Sequence, residues 1–543
     1  MASSGLTQLP AELLALVISH LPNRDVKILR LTCRLFHAVA KLRFNRVFLS
    51  ANPRDVEVFL AIADHDTFRK AITEIIWDDA VIRDTRTDRD EERHPADEYD
   101  EEEEEEVPGV PLWFSRACDD NNFELKARYD DDPLDRPERA IAAQLPVQES
   151  WAYFQKWRRQ QQDVISSGAD VAALRHGFAR FPALRTITIT PAVHGYNITF
   201  PLYDTPTIRS FPAGFNYPLP RGWPTTEESD QFVVQMPPWA NEDGGREDER
   251  EKWRGFRIVL RELALRPDSH RVSELIFDSH QLDTGLNCHI FEQPNPEYYH
   301  LVSLLRRPGF RRLDLSLSVG GQENQGWSAF RSTFLRRALS EIRPDLEHIS
   351  LTTDLPQEFS TWSAIHPAGG RITHHIPLQR TIFPVDRWPN LRHFGLAGFL
   401  VTQDDLISLL TALPPTLRSL QLGDIYFISE DENWRGFLVD MRDRLRWRDR
   451  PVEERPRVVI HVFNVDGQRR PGRAVWLDAE MAEFLYGEGQ NPFGHENGRA
   501  PNQVYMGRAG TVRDAFDPGY ERPFAEFPEL IRLGFVKREN YLF

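Results

Sequence analysis

The sequence predicts an α/β protein in which a short N-terminal helical hairpin precedes a larger domain of alternating strands and helices. Apolar residues recur at three- and four-residue intervals over residues 6–40, which is the period of amphipathic helices. Further along the chain, a short phrase of three spaced apolar residues returns six times with helix-like segments between its copies. The chain has 543 residues, so we expect more than one structural unit.

The N-terminal segment is predicted to form two helices. Pro10 suits a first helical turn because its φ is fixed, and Pro22 should end this helix. Asn23 is a suitable N-cap for the second helix. The expected apolar positions of the first helix are Leu13, Leu14, Val17, Ile18 and Leu21, and those of the second are Val26, Leu29, Cys33, Phe36 and Ala40.

This segment resembles an F-box over about residues 6–49. F-box proteins grip the small adaptor subunit of SCF-type cullin-RING ubiquitin ligases, so the resemblance implies this adaptor and, through it, a cullin as partners. An ordinary amphipathic hairpin packed on its own domain would show the same periodicity. The resemblance assigns adaptor binding to the matched positions Leu9, Pro10, Leu13, Leu14, Ile18, Leu29, Leu31, Cys33, Arg34 and Phe36.

Composition and cysteine usage favour a reducing compartment. The sequence contains no apolar run near 18 residues and no signal-like start, so we expect neither a membrane span nor secretion. Cys33, Cys118 and Cys288 are too few and too scattered for a disulfide framework or a closed zinc site. We therefore expect the protein in the cytosol or the nucleus.

The formal charge of −16 is concentrated in one stretch, because residues 83–106 hold fourteen acidic residues against four arginines. Like charges repel over a Debye length of about 8 Å, so we expect a disordered acidic linker over residues 81–110. A docking strip for a basic partner is the alternative interpretation. The overall acidity argues against nucleic-acid binding by this chain alone.

The recurring phrase consists of an apolar residue followed at three and five positions by two others. Strand and helix alternate along this part of the chain, which is similar to an irregular leucine-rich-repeat solenoid. A generic α/β domain with parallel strands is the competing interpretation. The phrases begin at Leu184, Val272, Phe310, Leu346, Leu391 and Leu417, and the predicted helices are 298–307, 327–342, 404–413 and 434–447.

These patterns divide the chain into an F-box (1–50), a helical connection (51–80), the acidic linker, a leucine-rich-repeat-like domain (111–475) and a C-terminal cap or tail (476–543). The α/β domain should contain a long insertion at about 191–253, which suits either substrate contact or a disordered loop. Residues 458–463 should form one further buried strand. Apolar phrase positions should face the core, so Gly395 and Gln421 should point outward on the concave sheet, with Arg392 and Arg418 near its rim.

An aromatic stripe formed by Trp151, Phe154 and Trp157 lies beside basic residues. Stacking on single-stranded nucleic acid is one interpretation of such a pattern. The favoured interpretation is an amphipathic helix that packs its rings into the domain while the charges face water.

Motifs for catalysis and cofactors are absent from the sequence. It contains no G-x-S-x-G elbow and no phosphate-binding G-x-x-x-x-G-K-[ST] loop. Cys288-His289 and His374-His375 offer ligand atoms without a second pair at a metal-ligand spacing. We therefore expect neither an enzyme nor a cofactor or metal, but a substrate receptor that presents an unknown protein target. A scaffold that binds the adaptor without directing ubiquitin transfer is the alternative, and a hydrolase on the α/β domain is a third hypothesis.

Overall fold

The structure is a computed structural model. It describes residues 6–21, 23–82, 107–129, 134–224, 247–280, 282, 284–320, 322, 326–355, 376–429, 431–463, 471–494, 504, 509–525 and 527–538. Most of the predicted acidic linker lies outside the described residues, as do Pro22, His374-His375 and residues 225–246 of the predicted insertion.

A single large sheet organises the chain after the N-terminal helices. Nine strands pair in parallel in the order in which they occur along the chain, and the last three strands of the sheet are antiparallel. The strands are β1 (Arg46–Leu49), β2 (Glu74–Asp78), β3 (Thr186–Thr190), β4 (Glu274–Phe277), β5 (Leu286–Asn287), β6 (Arg312–Ser318), β7 (His348–Thr353), β8 (His393–Ala397), β9 (Leu400–Val401), β10 (Ser419–Gly423), β11 (Tyr426–Phe427), β12 (Arg457–Phe463), β13 (Arg473–Trp476), β14 (Thr511–Asp514) and β15 (Asp517–Pro523). The sheet order is β1-β2-β3-β4-β6-β7-β8-β10-β12-β13-β14-β15, β5 adds to β6, and β9 pairs with β11 separately.

Helices fill the connections between these strands. The N-terminal helices are α1 (Ala11–Ser19), α2 (Asn23–Thr32) and α3 (Arg34–Val39), followed by α4 (Pro53–Asp64), α5 (Leu112–Arg128), α6 (Arg136–Ala142), α7 (Val147–Ser167), α8 (Ala169–Arg180), α9 (Pro206–Arg209), α10 (Glu247–Arg250), α11 (Arg254–Leu265), α12 (Pro296–Leu305), α13 (Ser328–Arg331), α14 (Phe334–Ser340), α15 (Leu378–Thr381), α16 (Gln403–Ala412), α17 (Trp434–Arg444), α18 (Asp478–Tyr486) and α19 (Phe527–Arg532). The fold is therefore mixed α/β, as the sequence predicted.

Two aligned rows of buried apolar side chains fix the register of the nine parallel strands. Each strand contributes one residue to each row, and neighbouring residues of a row are paired across the sheet. The rows are Val47, Ile75, Ile187, Leu275, Leu313, Ile349, Phe394, Leu420 and Val458, and Leu49, Trp77, Ile189, Phe277, Leu315, Leu351, Leu396, Leu422 and Ile460. The six sequence phrases thus correspond to six successive parallel strands.

The sheet begins earlier than the sequence analysis placed it. β1 falls within the predicted F-box range 1–50, and β2 falls within the predicted helical connection 51–80, which also contains α4. A purely helical connection is therefore an incomplete description. Both strands carry the recurring phrase, starting at Phe44 and Ile72, beside segments whose helical periodicity dominated the pattern.

The predicted helices between the phrases are largely present. α12, α16 and α17 match three of them, and their first turns are capped by side chains of Asn295, Thr402 and Asn433 that accept backbone N–H groups. The predicted helix over 327–342 is instead two helices, α13 and α14. It breaks because Thr333 has a φ of 70°, a left-handed conformation that an α-helix cannot contain.

The aromatic stripe lies on α7 and packs inward. Phe154 and Trp157 are buried in a cluster with Phe114, Phe215 and Tyr217. The indole N–H of Trp157 also donates to Asn52 Oδ1 over 2.6 Å. The amphipathic-helix interpretation is therefore confirmed, and Phe215 and Tyr217 show that the described start of the predicted insertion is packed into the domain.

The C-terminal strands return to the N-terminal half of the chain through a buried carboxylate. Asp514 on β14 accepts from Arg128 at the end of α5 at 2.9 and 2.6 Å, and from Arg473 on β13 at 3.2 Å. All three side chains are at most 1% exposed. Phe516 packs beside them against Ala192, which follows β3, and Leu282, which follows β4. This contact, named here the Asp514 clamp, joins the C-terminal strands of the sheet to α5 in the N-terminal half of the chain.

The row positions should dominate stability. We expect Leu396→Ala and Leu422→Ala each to lower the free energy of unfolding by about 2–5 kcal/mol, because each leaves a cavity in a row of the core. Gln421→Ala and Arg418→Ala, outside the rows, should change it by less than about 0.5 kcal/mol. Urea unfolding followed by circular dichroism measures both. Leucine variants as stable as wild type would contradict the register.

Removing the clamp should be costly because it leaves two arginines buried without their counter-charge. We expect Asp514→Ala to lower the free energy of unfolding by about 3–5 kcal/mol. The matched control is Glu521→Ala on β15, whose side chain is 62% exposed, and its effect should stay below about 0.5 kcal/mol. Equal urea midpoints for the two variants would show that the clamp does not stabilise the packing of the C-terminal strands against α5.

Candidate adaptor-binding surface and sheet groove

Three short helices rather than two form the N-terminal unit. The second helix was predicted to run through Cys33, but Cys33 is extended, with φ −159° and ψ 166°, and separates α2 from α3. The hydroxyl of Thr32, the residue before Cys33, donates to the Leu29 carbonyl over 2.7 Å. This local hydrogen bond competes with continuation of the helix. The break turns α3 so that Phe36 reaches the centre of the unit.

The three helices share a small core of their own. Leu21, Leu29 and Leu42 pack around this core, which closes the unit without the sheet. Its members are at most 7% exposed and are Leu14, Ile18, Val26, Phe36 and Ala40.

The same unit leaves an unusual number of large apolar side chains in solvent. Leu31 is 87% exposed, and Leu16 and Ile28 are 57% exposed. Fully burying a leucine or valine side chain contributes about 1.5–3 kcal/mol, so these side chains favour coverage by a partner. We name this set the apolar surface, and it comprises Leu6, Leu9, Leu13, Leu16, Val17, Ile28, Leu31, Leu35 and Val39.

The ten positions predicted to bind the adaptor separate into two groups. Leu9, Pro10, Leu13, Leu31, Cys33 and Arg34 are exposed, whereas Leu14, Ile18 and Phe36 lie in the helical core and Leu29 is half-buried against it. Burial assigns the second group to the shape of the unit rather than to direct contact. The sequence analysis did not assign adaptor contact to Leu6, Leu16, Val17, Ile28, Leu35 or Val39. Helical spacing alone does not distinguish the inner from the outer apolar face when both faces are apolar.

Arg43 and Asn23 tie the unit together. The guanidinium of Arg43 donates to the carbonyls of Ile18 at 3.2 Å, Ser19 at 2.6 Å and Leu21, which lie at or just beyond the end of α1. Asn23, predicted as an N-cap, instead exchanges two hydrogen bonds with the backbone of Arg43 at 2.5 and 2.9 Å. The positive charge of Arg43 also interacts favourably with the partial negative charge at the C-terminus of α1.

The helical unit continues directly into the sheet. The ring of Phe44 packs edge-on against Phe68, with centroids 4.9 Å apart. The carbonyl of Asn45 accepts from the backbone N–H groups of Thr73 at 2.8 Å and Glu74 at 3.1 Å, one at each side of the start of β2. β1 begins at the next residue, Arg46, so the connection contains no free spacer.

A second candidate site lies on the opposite face of the sheet from the core. Residues of β4, β6, β7, β8, β10, β12 and β13, and of the turns beside these strands, line a cavity of about 370 Å³, named here the sheet groove. Ala515, beside the Asp514 clamp, also lines it, so the groove lies between the sheet and its own C-terminal strands. Gly395 and Gln421 line the groove, as the sequence analysis placed them, while Arg392 and Arg418 are exposed outside its lining.

The floor of the groove is low because its central residues are small. A Cβ added at Gly395, which lines the groove, would approach Ser350 Oγ to 2.4 Å, and one added at Gly423, beside the lining residue His461, would approach His461 Nε2 to 1.9 Å. Neither glycine has a positive φ, so close packing, not backbone conformation, explains them. The sequence analysis placed Gly395 as an outward residue of its phrase and did not name Gly423, which directly follows a phrase.

Ionisable side chains form the two flanks of the groove. His348 Nε2 lies 2.8 Å from Asp314 Oδ1, and the rings of His348 and His393 stack at 4.0 Å. Burial pushes the pKa of Asp314 upward, but hydrogen bonds and charges from His348 and Arg312 outweigh it, so the pKa is lowered. On the other flank, His461 stacks on Trp476 at 4.9 Å.

Burial determines the charge of two of these histidines. Desolvation lowers the pKa of His393 to about 4, with a further contribution from the charge of His348, and desolvation alone lowers the pKa of His461 to about 4. Both imidazoles are therefore neutral near pH 7.

Metal-ligand clusters and membrane-spanning helices are absent from the described residues. Within the described ranges, no three or more histidine, cysteine or acidic side chains are grouped as metal ligands. His289 of the predicted Cys288-His289 pair instead bonds Glu292 through Nδ1 at 2.6 Å. Within the same ranges, no helix combines the length and the apolar character needed to cross a bilayer.

The comparison with protein families identifies the N-terminal unit. A model of the F-box domain matches residues 6–46, which cover α1, α2, α3 and the Arg43 contacts. The chain therefore carries an F-box domain, as the sequence predicted. A search of curated proteins finds no match to this chain.

The two groups of leucines in the F-box domain should respond differently to truncation. We expect Leu31→Ala to weaken adaptor binding about tenfold or more while leaving the melting temperature unchanged, because Leu31 supports no internal packing. Leu14→Ala should destabilise the domain by about 2–5 kcal/mol. Biolayer interferometry with purified adaptor and thermal melts measure the two effects.

The matched control is Leu265→Ala, which truncates a leucine that is 64% exposed at the end of α11, outside the F-box domain. It should leave adaptor binding and melting unchanged. The triple variant Leu9→Ala/Pro10→Ala/Leu31→Ala should lose adaptor binding. Wild-type binding by this variant would contradict the assignment of the apolar surface.

Proposed function

We propose that this chain is the substrate receptor of an SCF-type cullin-RING ubiquitin ligase. Its F-box domain at residues 6–46 implies binding of the ligase adaptor and, through it, the cullin complex. The remainder of the chain would hold a protein target. The observation that carries the proposal is the coexistence of this domain, with its uncovered apolar surface, and a large sheet joined to it without a spacer.

The apolar surface supports the adaptor half of the proposal. Exposed apolar side chains concentrated in one unit favour a partner that covers them, and this unit of about forty residues exposes nine aliphatic side chains. Leu14, Ile18 and Phe36 hold the three helices in the arrangement that displays it. The internal core thus stabilises the three helices, and the external apolar surface is available for binding.

The sheet supports the target half. We interpret it as an irregular leucine-rich-repeat-like array, because each parallel strand adds beside the one before it in the chain and all nine keep one register. Repeat arrays of this kind present one sheet face to partners. The uneven helices and the antiparallel end at β13–β15 distinguish it from a regular array.

Catalysis in this proposal is supplied by proximity. Holding a target lysine near the charged ubiquitin-conjugating enzyme raises its effective concentration, and the cysteine chemistry belongs to other subunits. We propose that the chain itself is not an enzyme and acts in the cytosol or the nucleus. The alternative is a scaffold that binds the adaptor without directing ubiquitin transfer.

The test is affinity purification of the intact chain from cells with the proteasome blocked. The comparison variant is Leu9→Ala/Pro10→Ala/Leu31→Ala rather than a deletion of residues 1–50, because that deletion would remove β1 from the sheet. We expect wild type to retain adaptor, cullin and target proteins, and the variant to retain only the targets. Quantitative mass spectrometry of the two eluates measures this difference.

Ubiquitin transfer separates a receptor from a scaffold. A protein retained by both forms should be ubiquitinated in a reconstituted reaction with wild type and at least tenfold less with the triple variant. Leu265→Ala serves again as the control and should support the wild-type rate. Adaptor binding without ubiquitination of any retained protein would favour the scaffold.

A further inference from the structure

Arginine recurs at one position of the repeated phrase. In four of the six phrases it directly follows the first apolar residue, at Arg185, Arg311, Arg392 and Arg418. All four side chains are exposed. The chain as a whole carries a formal charge of −16, so this recurrence of basic residues does not follow from its composition.

The sheet brings the four arginines into one row at the edge where the parallel strands begin. Each residue of the row directly precedes a strand, and its carbonyl accepts from the backbone N–H of the next residue of the row over 2.8–2.9 Å. Neighbouring strands lie about 4.8 Å apart, so six residues in a row span about 24 Å. In order, the row is Arg185, Ser273, Arg311, Glu347, Arg392 and Arg418, and we name its four arginines the basic edge.

Most of the positive charge of the basic edge has no carboxylate beside it. Among the residues that the structure describes, Arg311 and Arg392 form no ion pair and no side-chain hydrogen bond. The guanidinium of Arg418 donates to the carbonyls of Pro415 and Leu417 at 2.8 and 3.0 Å, which leaves its charge unopposed. These three arginines are therefore available to an acidic partner.

Three acids near the row do not remove this charge. Glu274 lies 3.9 Å from Arg185, at the outer limit of an ion pair. Glu347 belongs to the row, but within the described residues it forms no ion pair with the arginine on either side. Asp345 accepts from the backbone N–H of Gly309 at 2.9 Å. The row itself therefore holds four positive charges against one negative charge.

We propose that the basic edge binds an acidic, extended peptide segment of a protein partner. A guanidinium bonds a carboxylate through two parallel hydrogen bonds, which suits arginine better than lysine to this ligand. An extended peptide rises about 3.3 Å per residue, so a segment of about seven or eight residues matches the length of the row. That the partner is a ubiquitination target rests on the function proposed above.

A single-stranded nucleic acid is the other extended polyanion that fits a row of arginines. Sites for single strands combine basic side chains with aromatic rings on which the bases stack. The six residues of the row are arginine, serine and glutamate, without an aromatic ring among them. The row therefore favours the peptide, and the test includes an oligonucleotide.

The experiment titrates fluorescein-labelled octaglutamate with the full chain in complex with the adaptor and measures fluorescence anisotropy. We expect octaglutamate to bind about tenfold or more tightly than octaglutamine or a single-stranded DNA of eight nucleotides. Salt should weaken this binding because ions screen exposed charges. The variant Arg311→Gln/Arg392→Gln/Arg418→Gln should weaken it about tenfold or more, because it removes the three charges that no carboxylate opposes.

The matched control removes the same number of charges from exposed arginines outside the row. It is Arg139→Gln/Arg159→Gln/Arg532→Gln, with one change on each of α6, α7 and α19. This variant should bind octaglutamate like wild type.

A conservative variant separates loss of charge from loss of structure. Arg311→Lys/Arg392→Lys/Arg418→Lys keeps the three charges and should keep most of the affinity for octaglutamate. The melting temperatures of all three variants should match that of wild type, because the substituted side chains are exposed.

Loss of binding in the glutamine variant, with retention in the lysine variant and the control, would support the proposal. Octaglutamine or DNA bound as tightly as octaglutamate, wild-type binding by the glutamine variant, or equal loss in the control would overturn it. Tighter binding by a chain that lacks residues 97–106 would also overturn it, because the basic edge would then belong to this acidic stretch of the same chain.

The outcome is independent of the proposed function. Octaglutamate binding at the basic edge without ubiquitination of any retained protein would remove the receptor function and leave the edge assignment in place. Targets ubiquitinated at the wild-type rate by the glutamine variant would leave the receptor function and overturn the basic edge as the target site.

Discussion

A common register across nine parallel strands is the constraint on which the rest of the structure depends. Side chains alternate between the faces of a strand, so one register assigns every buried row and every outward position at once. Leu396 and Leu422 belong to the core for the same reason that Gly395 and Gln421 line the groove. A slip of one residue in a single strand would move its apolar side chains into that groove and its polar side chains into the core.

Local sequence patterns predicted much of this fold, because the spacing of apolar residues within one short segment determines which side chains of a strand face the core. The phrase starting at Leu391 and the helix over 404–413 each depend on neighbours within a dozen residues, and both are present as β8 and α16. β1 and β2 were missed because their phrases stand beside strongly helical segments. The inner and outer leucines of the F-box domain were not separated, because Leu13 and Leu14 look alike until the helices pack.

Long-range contacts lay outside what such patterns can predict. Nothing near Arg128 indicates that its partner is on β14, and nothing near Asp424 indicates that Trp476 lies across the same cavity. The groove likewise exists only because β4, β6, β7, β8, β10, β12 and β13 lie side by side in one sheet. Sequence analysis therefore located the outward residues of single strands but not the cavity that they line jointly.

The Asp514 clamp also determines when, during translation, the fold can be completed. Arg128 and Asp514 are 386 residues apart, and at about 5–20 residues per second the ribosome needs about 20–80 s to supply the second after the first. Throughout that interval the F-box domain has already been synthesised, while the groove lacks Ala515 and, for most of the interval, Trp476. A nascent chain therefore contains its F-box domain well before its sheet groove is complete. A prematurely terminated chain that ends before β14 would keep the F-box domain and lack Ala515 from the lining of the groove.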